Sequence, residues 1–411
     1  MKVFGGNGQR VNAQNSSSQS APLRNMGNTG RSNINDRQYG NNNAVSARKG
    51  PTPPKAPKKK GKGALTALLI ILVLACLGVA YWHFTTKPPD TSDNADKNAT
   101  QTAGPQTSAQ IATSGNREAG RYYTVLVVGE DQIKSNTDTI MVARYDTVEN
   151  KVSIVSIPRD TLVNISASVK KINNIYCSKN GGIDALMKEV KNICGFTPDS
   201  YVVIDTDEFE KIIDTLGGVY FDVPVNMDYE DPTQNLSIHI KKGYQWLSGE
   251  NALKVFRFRH TYAMGDIGRL DVQHDLIKAC ASQMLKLGNI TKLYEAAKII
   301  TDSTETNLSY GNMQWYASEF MKMSMDKINI MTLTGNYSCS IRGVSYVSIS
   351  VDEWLTMVNQ YLNPLKAPII AKDCNILYQV AADSSNTLNA SNYVVTNGSK
   401  VAGGLSSFAS S

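Results

Sequence analysis

From Ala64 to Phe84 the chain reads ALTALLIILVLACLGVAYWHF, with no Asp, Glu, Lys or Arg. A helix needs about 20 apolar residues to cross the hydrocarbon core of a bilayer. This stretch has that length, so it divides the rest of the chain into two sides. Tyr81, Trp82 and Phe84 gather at one end, where amphipathic rings favour the membrane–water interface. The run is longer than a signal-peptide core and no small-residue cleavage site follows it. Arg48, Lys49, Lys55, Lys58, Lys59, Lys60 and Lys62 precede it, and only Lys87 closely follows. The positive-inside rule then expects a single-pass cell-membrane protein with a cytoplasmic N-terminus and an extracellular body.

Charge follows the same division. Residues 1–63 hold 12 of the 42 basic residues and one of the 36 acidic ones, so the remainder is net acidic by 5. The positive charge belongs to the tail, which leaves no nucleic-acid footprint on the body. Residues 1–63 are rich in Asn, Ser, Gly and Gln, then in Pro and Lys. Their few apolar residues cannot offset ordering entropy, so a disordered basic cytoplasmic tail is expected. Its last part, PTPPKAPKKKGKG, serves either as a topology signal or as a contact for anionic lipid heads. Residues 85–120 read as a polar extracellular linker. Cys177, Cys194, Cys280, Cys339 and Cys374 fall on the outer side, where disulfides persist. Their odd number leaves at least one unpaired in a monomer. Cys177 and Cys194 flank one helical segment and are a candidate pair. No C-x-x-C or His cluster suggests zinc.

The body, residues 121–368, opens on three strand-length apolar runs, YYTVLVVG, TIMVARYD and KVSIVSIP. Their near-continuous apolar character predicts strands covered on both faces. IDALMKEVKNIC has helical periodicity. YVVID reads as a strand, and TDEFEKIIDTLGG as a helix with Asp205 and Glu208 as a capping pair and Gly217 as its stop. Further strands are expected at VYFDVPV and LSIHIKKG, and helices at SGENALKVF and from Asp266 onward. Beyond these, KLYEAAKII, YGNMQWYASEFMKM and VDEWLTMVNQYL read as helices, and KINIMTLTG as a strand. Alternating strands and helices give an α/β fold, a central β-sheet sandwiched by helices. After Pro368 the chain turns to Ser, Asn, Gly and Ala, and residues 369–411 read as a loose C-terminal tail.

Charged residues beside apolar runs mark the candidate site. In VFRFRH, Arg257 and Arg259 alternate with Phe256 and Phe258, so an extended chain would put both guanidiniums on one face. Arg159 and Asp160 emerge from the end of VSIVSIP. Asp266, Arg269 and Gln273 share one helix face, with Leu276, Ile277, Cys280 and Met284 extending it. That apolar stripe suits a lipid tail or an ordinary core. Four arginines from separate segments favour a phosphate or diphosphate, because the guanidinium fork binds it bidentately. Asp131 and Asp138 lie near adjoining strand ends, and paired carboxylates with phosphate oxygens are what Mg²⁺ prefers. Neither a P-loop nor a G-x-G-x-x-G fingerprint is present.

TDTIMVARYD, VSIVSIPRDTLV, KINNIYCSKNGG, IDTLGGVYFDVP, KGYQWLSGENALKVFRFRH and GDIGRLDVQ together resemble the LytR–CpsA–Psr family across roughly residues 122–288. The resemblance implies a mixed-sheet α/β sandwich with the substrate's lipid tail in an apolar tunnel. It implies a Mg²⁺-dependent phosphotransferase moving a glycopolymer, such as a teichoic acid or capsule polymer, from a polyprenyl-pyrophosphate carrier to peptidoglycan. Asp131 and Asp138 match the metal-binding carboxylates. Arg159, Arg257, Arg259 and Gln273 match positions that contact the pyrophosphate. Asp160, Asp266 and Arg269 complete the same motifs, with Asp160 and Asp266 as candidate bases. The sequence departs from the family pattern at Asn136 and Val272, where arginine is frequent. A polyprenyl-pyrophosphate hydrolase and a non-catalytic lipid- or glycan-binding regulator remain the alternatives.

Overall fold

The structure, a computed structural model, describes residue 71 and residues 73–75, 85–91, 117–118, 120–130, 137–232, 236–259, 266–287, 290–382 and 387–409. Among these, no helix is long and apolar enough to cross a membrane. The expected basic tail, nearly all of the expected span and most of the linker lie outside the described residues.

β1 (Tyr122–Glu130), β2 (Thr137–Asp146) and β3 (Lys151–Ser156) form an antiparallel meander. α1 (Ile183–Cys194) leads to β4 (Ser200–Ile204), which pairs parallel with β1. α2 (Thr206–Leu216) starts with the expected capping pair: the Asp205 carboxylate accepts from the Asp207 and Glu208 amides, and Glu208 accepts from the Asp205 amide. It stops at Gly217, whose φ of 95° only glycine adopts without strain. Two ribbons follow. β5 (Val219–Val223) pairs with β8 (Gly243–Leu247), and β6 (Met227–Asp231) with β7 (Leu236–Ile240), both antiparallel.

The chain then turns helical through α3 (Gly249–Arg257), α4 (Asp266–Leu287) and α5 (Ile290–Ser303). β9 (Glu305–Thr306), α6 (Tyr310–Phe320) and β10 (Ile328–Thr332) complete the six-stranded sheet, in the order β10-β3-β2-β1-β4-β9. β10 runs parallel to β3 and β9 antiparallel to β4, so the sheet is mixed as expected. The hairpin β11 (Gly335–Ile341) and β12 (Val344–Ile349) precedes α7 (Val351–Met357), which continues as a π-helical turn to Leu362.

The two faces of the sheet differ. On one, Leu126, Val128, Ile140, Val142 and Val155 pack against Leu186, Val190 and Ile193 of α1 and against Trp354. Trp354 is fully buried, and its indole donates to the Ile193 carbonyl at 2.9 Å. The alternate residues point the other way, as the period of two requires. There Val152 and Ile154 floor one apolar cavity of about 310 Å³, roofed from α2, α3, α4 and α6. Val125, Val127 and Val202 floor a second of about 290 Å³, beneath α5 and α6. Val152 and Phe320 border both cavities. The strands are apolar on both sides because one side meets a close-packed core and the other a hollow lining.

The segment after Pro368, expected as a loose tail, is part of the body. Ile369, Cys374 and Ile376 complete the core around Trp354. β13 (Leu377–Gln379) and β14 (Tyr393–Val395) form a hairpin. Leu377, Tyr393, Val395 and Phe408 build a further cluster with Leu162 and Tyr346. Lys170, fully buried, donates to the carbonyls of Ile165, of Ala167 (3.2 Å) and of Ala402 (2.8 Å). An ammonium is tolerated inside only with such partners. Sparse apolar residues among Ser, Asn and Gly suffice here because each meets a ready-made apolar surface. The proposed Cys177–Cys194 pairing is also corrected. All five described cysteines are free, and Cys194 is buried at the end of α1 beside Cys374.

Phe408→Ala should cost about 3–5 kcal/mol, the usual loss for a buried aromatic, and ending the chain at residue 368 should cost more. Urea unfolding of the three proteins measures both. Equal midpoints would mean that residues 369–411 add nothing to the body.

Candidate active site

β3 ends at Ser156, and Ile157 and Pro158 carry the chain out of the sheet to Arg159. β2 starts beside it, with Asp138 as its second residue. Arg159 Nη1 donates to Asp138 Oδ1 at 3.0 Å, and Arg259 Nη2 donates to Asp138 Oδ2 at 2.5 Å. One carboxylate is thus gripped by guanidiniums from two distant segments. Burial pushes the Asp138 carboxyl up. The charges of Arg259 and Arg159, the Arg159 hydrogen bond and the charge of Arg269 outweigh it and hold the group below the usual carboxylate range. Asp138 is therefore ionised at neutral pH. Asp160, next to Arg159, meets Lys171 Nζ at 3.1 Å and Arg159 Nε at 3.9 Å.

VFRFRH is not an extended strand. Phe256 and Arg257 form the end of α3, and Phe258 caps it. Ser248 starts this helix by accepting from the Asn251 amide. Buried Ala252, Leu253 and Val255 show helical rather than alternating spacing. The consequence for the rings stands: Phe258 is fully buried, and Phe256 packs on Phe209 with ring centroids 5.3 Å apart. The arginines diverge. Arg257 is half-buried on the helix and Arg259 is exposed beyond it.

On α4, Arg269 and Gln273 are both 3% exposed. Gln273 Nε2 donates to the Phe256 carbonyl at 2.9 Å, tying α4 to the last turn of α3. One helical turn further, Leu276, Ile277, Cys280 and Met284 line the 310 Å³ cavity, whose wall also includes Phe256. The stripe that suited either a tail or a core borders a cavity. Burial pushes the Cys280 thiol up to about 12, which leaves it unreactive. Val272 instead points into the core behind α4. Asp131, Asn136 and His260 lie outside the described residues, as does the side chain of Asp266.

One pair went unforeseen. The Ser156 hydroxyl and His274 Nε2 are 2.8 Å apart, and both residues are buried. Burial lowers the His274 pKa, so its ring is neutral. Too enclosed to meet substrate, the pair fastens α4 to the end of β3. Nothing in the sequence joins residues 118 positions apart.

Among the described residues, no three or more His, Cys, Asp or Glu cluster as a metal site. Mg²⁺ typically takes only one or two carboxylates and completes its shell with water and substrate phosphate. An ionised Asp138 among phosphate-seeking arginines fits that donor set.

A model of the LytR_cpsA_psr family matches residues 83–362, well over half of the chain. The chain belongs to this family. It is 31% identical over 208 residues to the polyisoprenyl-teichoic acid–peptidoglycan teichoic acid transferase TagV of Bacillus subtilis, covering 49% of this chain and 53% of TagV. It is 34% identical over 189 residues to the regulatory protein MsrR of Staphylococcus aureus, covering 45% of this chain and 56% of MsrR. The match therefore spans about half the length of each of these relatives. TagU of Bacillus subtilis, a transferase described in the same words as TagV, is 28% identical over 70% of this chain and 91% of its own. The crystal structure of Bacillus subtilis TagV superposes with a TM-score of 0.50 at 26% identity, covering 59% of this chain and 97% of that one.

The His274 environment makes stability depend on pH. Its folded pKa lies below the ordinary value of about 6.5. Its contribution is complete above that value and is lost as pH falls from there through the folded pKa, because unfolding then takes up a proton. Urea midpoints should fall between pH 7.5 and 5.5 in the wild type and fall less in His274→Gln. Equal slopes in the two proteins would assign the pH dependence to other groups.

Proposed function

We propose that this chain is a membrane-anchored, Mg²⁺-dependent phosphotransferase. It moves a glycopolymer from a polyprenyl-diphosphate carrier to peptidoglycan. The observation that carries this reading is Asp138, held by Arg159 and Arg259, together with an apolar cavity lined by Phe256, the residue before Arg257. A charged head and a long apolar tail need those two environments side by side. The names of TagV and TagU, which describe this transfer, support it.

The diphosphate would replace Asp138 as partner of Arg159 and Arg259, with Arg257 and Arg269 adding charge from α3 and α4. Phosphoryl transfer needs mainly positioning and charge stabilisation, and arginine forks supply both. Asp138, with Asp131, would hold Mg²⁺, which neutralises diphosphate charge when bound. An acceptor hydroxyl attacks the phosphorus that carries the sugar. The bond to the bridging oxygen breaks, polyprenyl phosphate leaves, and a phosphodiester remains on the wall. The hydroxyl proton passes to a carboxylate, for which Asp160 and Asp266 are the candidates. Gln273 keeps the Arg257 turn against α4.

Purified full-length chain, given lipid-linked donor and peptidoglycan, should yield linked product. Release of phosphorylated glycan would instead identify a hydrolase. Retention without turnover would identify a non-catalytic binding protein. Arg257→Ala and Arg259→Ala should each slow transfer by about a hundredfold, as for loss of one donor to a developing oxyanion. The double variant should lose less than the product of the two, because the groups act together. Folded single variants with wild-type rates would place these arginines outside the reaction.

A further inference from the structure

The end of the cavity away from the arginines has its own surface chemistry. Leu216 and Met284 line it there. Between them, Gln283 accepts from the Tyr220 amide at 3.1 Å and donates to the Gly218 carbonyl at 2.6 Å. That bond ties α4 to the β5–β8 ribbon about 15 Å along the helix from Gln273, at 1.5 Å per residue.

The outward face of the ribbon is aromatic. Tyr220, Tyr244 and Trp246 are 53%, 73% and 51% exposed. Tyr220 lies opposite Trp246 across the ribbon and stacks on Tyr244, with centroids 5.9 Å apart and planes within 17°. Trp246 is fixed by its indole bond to the Gly217 carbonyl at 3.1 Å and by the bare Gly218, where a Cβ would come within 2.4 Å of the indole. Two exposed ammonium groups adjoin the ribbon, with a third half-buried behind it. Lys241 and Lys242 are exposed in the turn before β8, and Lys292 Nζ reaches the Leu216 carbonyl at 3.4 Å. One carboxylate, Asp222, shares the face opposite Tyr244.

We propose that this face seats the body on an anionic phospholipid surface and turns the far end of the cavity toward the bilayer. The inference rests on the reading of the cavity as a site for a polyprenyl tail. A tail longer than the cavity must leave it opposite the diphosphate, and its continuation is stable only in hydrocarbon. Tyr and Trp rings favour the interface at which such an opening would sit. Lys241 and Lys242, exposed beside them, meet anionic headgroups. A sugar would also stack on these rings. The acceptor hydroxyl, however, must arrive at the arginines, at the other end of the cavity.

The test uses the full chain in vesicles of phosphatidylcholine and phosphatidylglycerol, with and without a brominated phosphatidylcholine. The difference in emission between wild type and Trp246→Phe isolates Trp246 and cancels the other tryptophans. Bromine should quench that difference signal, and an unquenched signal overturns the proposal. Lys241→Gln/Lys242→Gln should slow transfer from a vesicle-embedded donor by on the order of tenfold. The same variant should leave unchanged the transfer from a short-tailed donor in detergent. Equal slowing on both donors would make the lysines structural and overturn the proposal. Shielding of Trp246 by soluble muropeptide without bromine quenching would make the face a sugar platform, which also overturns it. If the wild type transfers nothing from either donor, the transferase reading fails while Trp246 quenching still decides the docking.

Discussion

One carboxylate holds the charged end of the site together. Asp138 sits at the start of β2 and reaches Arg159 beyond β3 and Arg259 beyond α3. Without an anion between them, those guanidiniums and Arg269 would repel one another in a partly enclosed space. Asp138 supplies the anion from the fold itself. The arginines are therefore already gathered where a diphosphate would need them, at the cost of a competition between carboxylate and substrate. A bound phosphate would ask the same forks for the hydrogen bonds that Asp138 now takes, so its entry would loosen Asp138.

The second condition is a sheet with unlike faces. A close-packed interior tolerates few voids larger than a water molecule, yet two cavities of about 310 and 290 Å³ adjoin across Val152 and Phe320. The opposite face, with Trp354 fully buried, carries the packing that keeps the strands in register. Stability and vacancy are thus assigned to opposite sides of one sheet, and Phe256, next to Arg257, is part of the lining of the vacancy.

The sequence made the strands legible because their apolar runs are nearly continuous, and it made α2 legible because Asp205, Glu208 and Gly217 are local signals. Arg159, Arg259 and Arg269, whose charges act on Asp138, were legible as charges beside apolar runs, whereas Arg257 diverges from Arg259. VFRFRH misled because Phe256 and Phe258 fit a period of two. The helical spacing of Ala252, Leu253 and Val255 upstream decides the matter. Residues 369–409 were illegible for another reason. Ile376, Leu377, Tyr393 and Phe408 are too sparse to form an element alone, and the surface they cover is made by residues as far back as Leu162. The Ser156–His274 contact is equally non-local.

Lys170 has a consequence for the order of assembly. Of its three carbonyl partners, Ile165 and Ala167 are neighbours, but Ala402 lies 232 residues further on. Until that residue is synthesised, the ammonium lacks one of its acceptors and the Leu162 cluster lacks Phe408. Contacts of such sequence separation are slow to close. A nascent chain halted anywhere before Ala402 would thus display an open flank to quality-control proteases. Residues 402–408 act as a seal on the Leu162 side of the body.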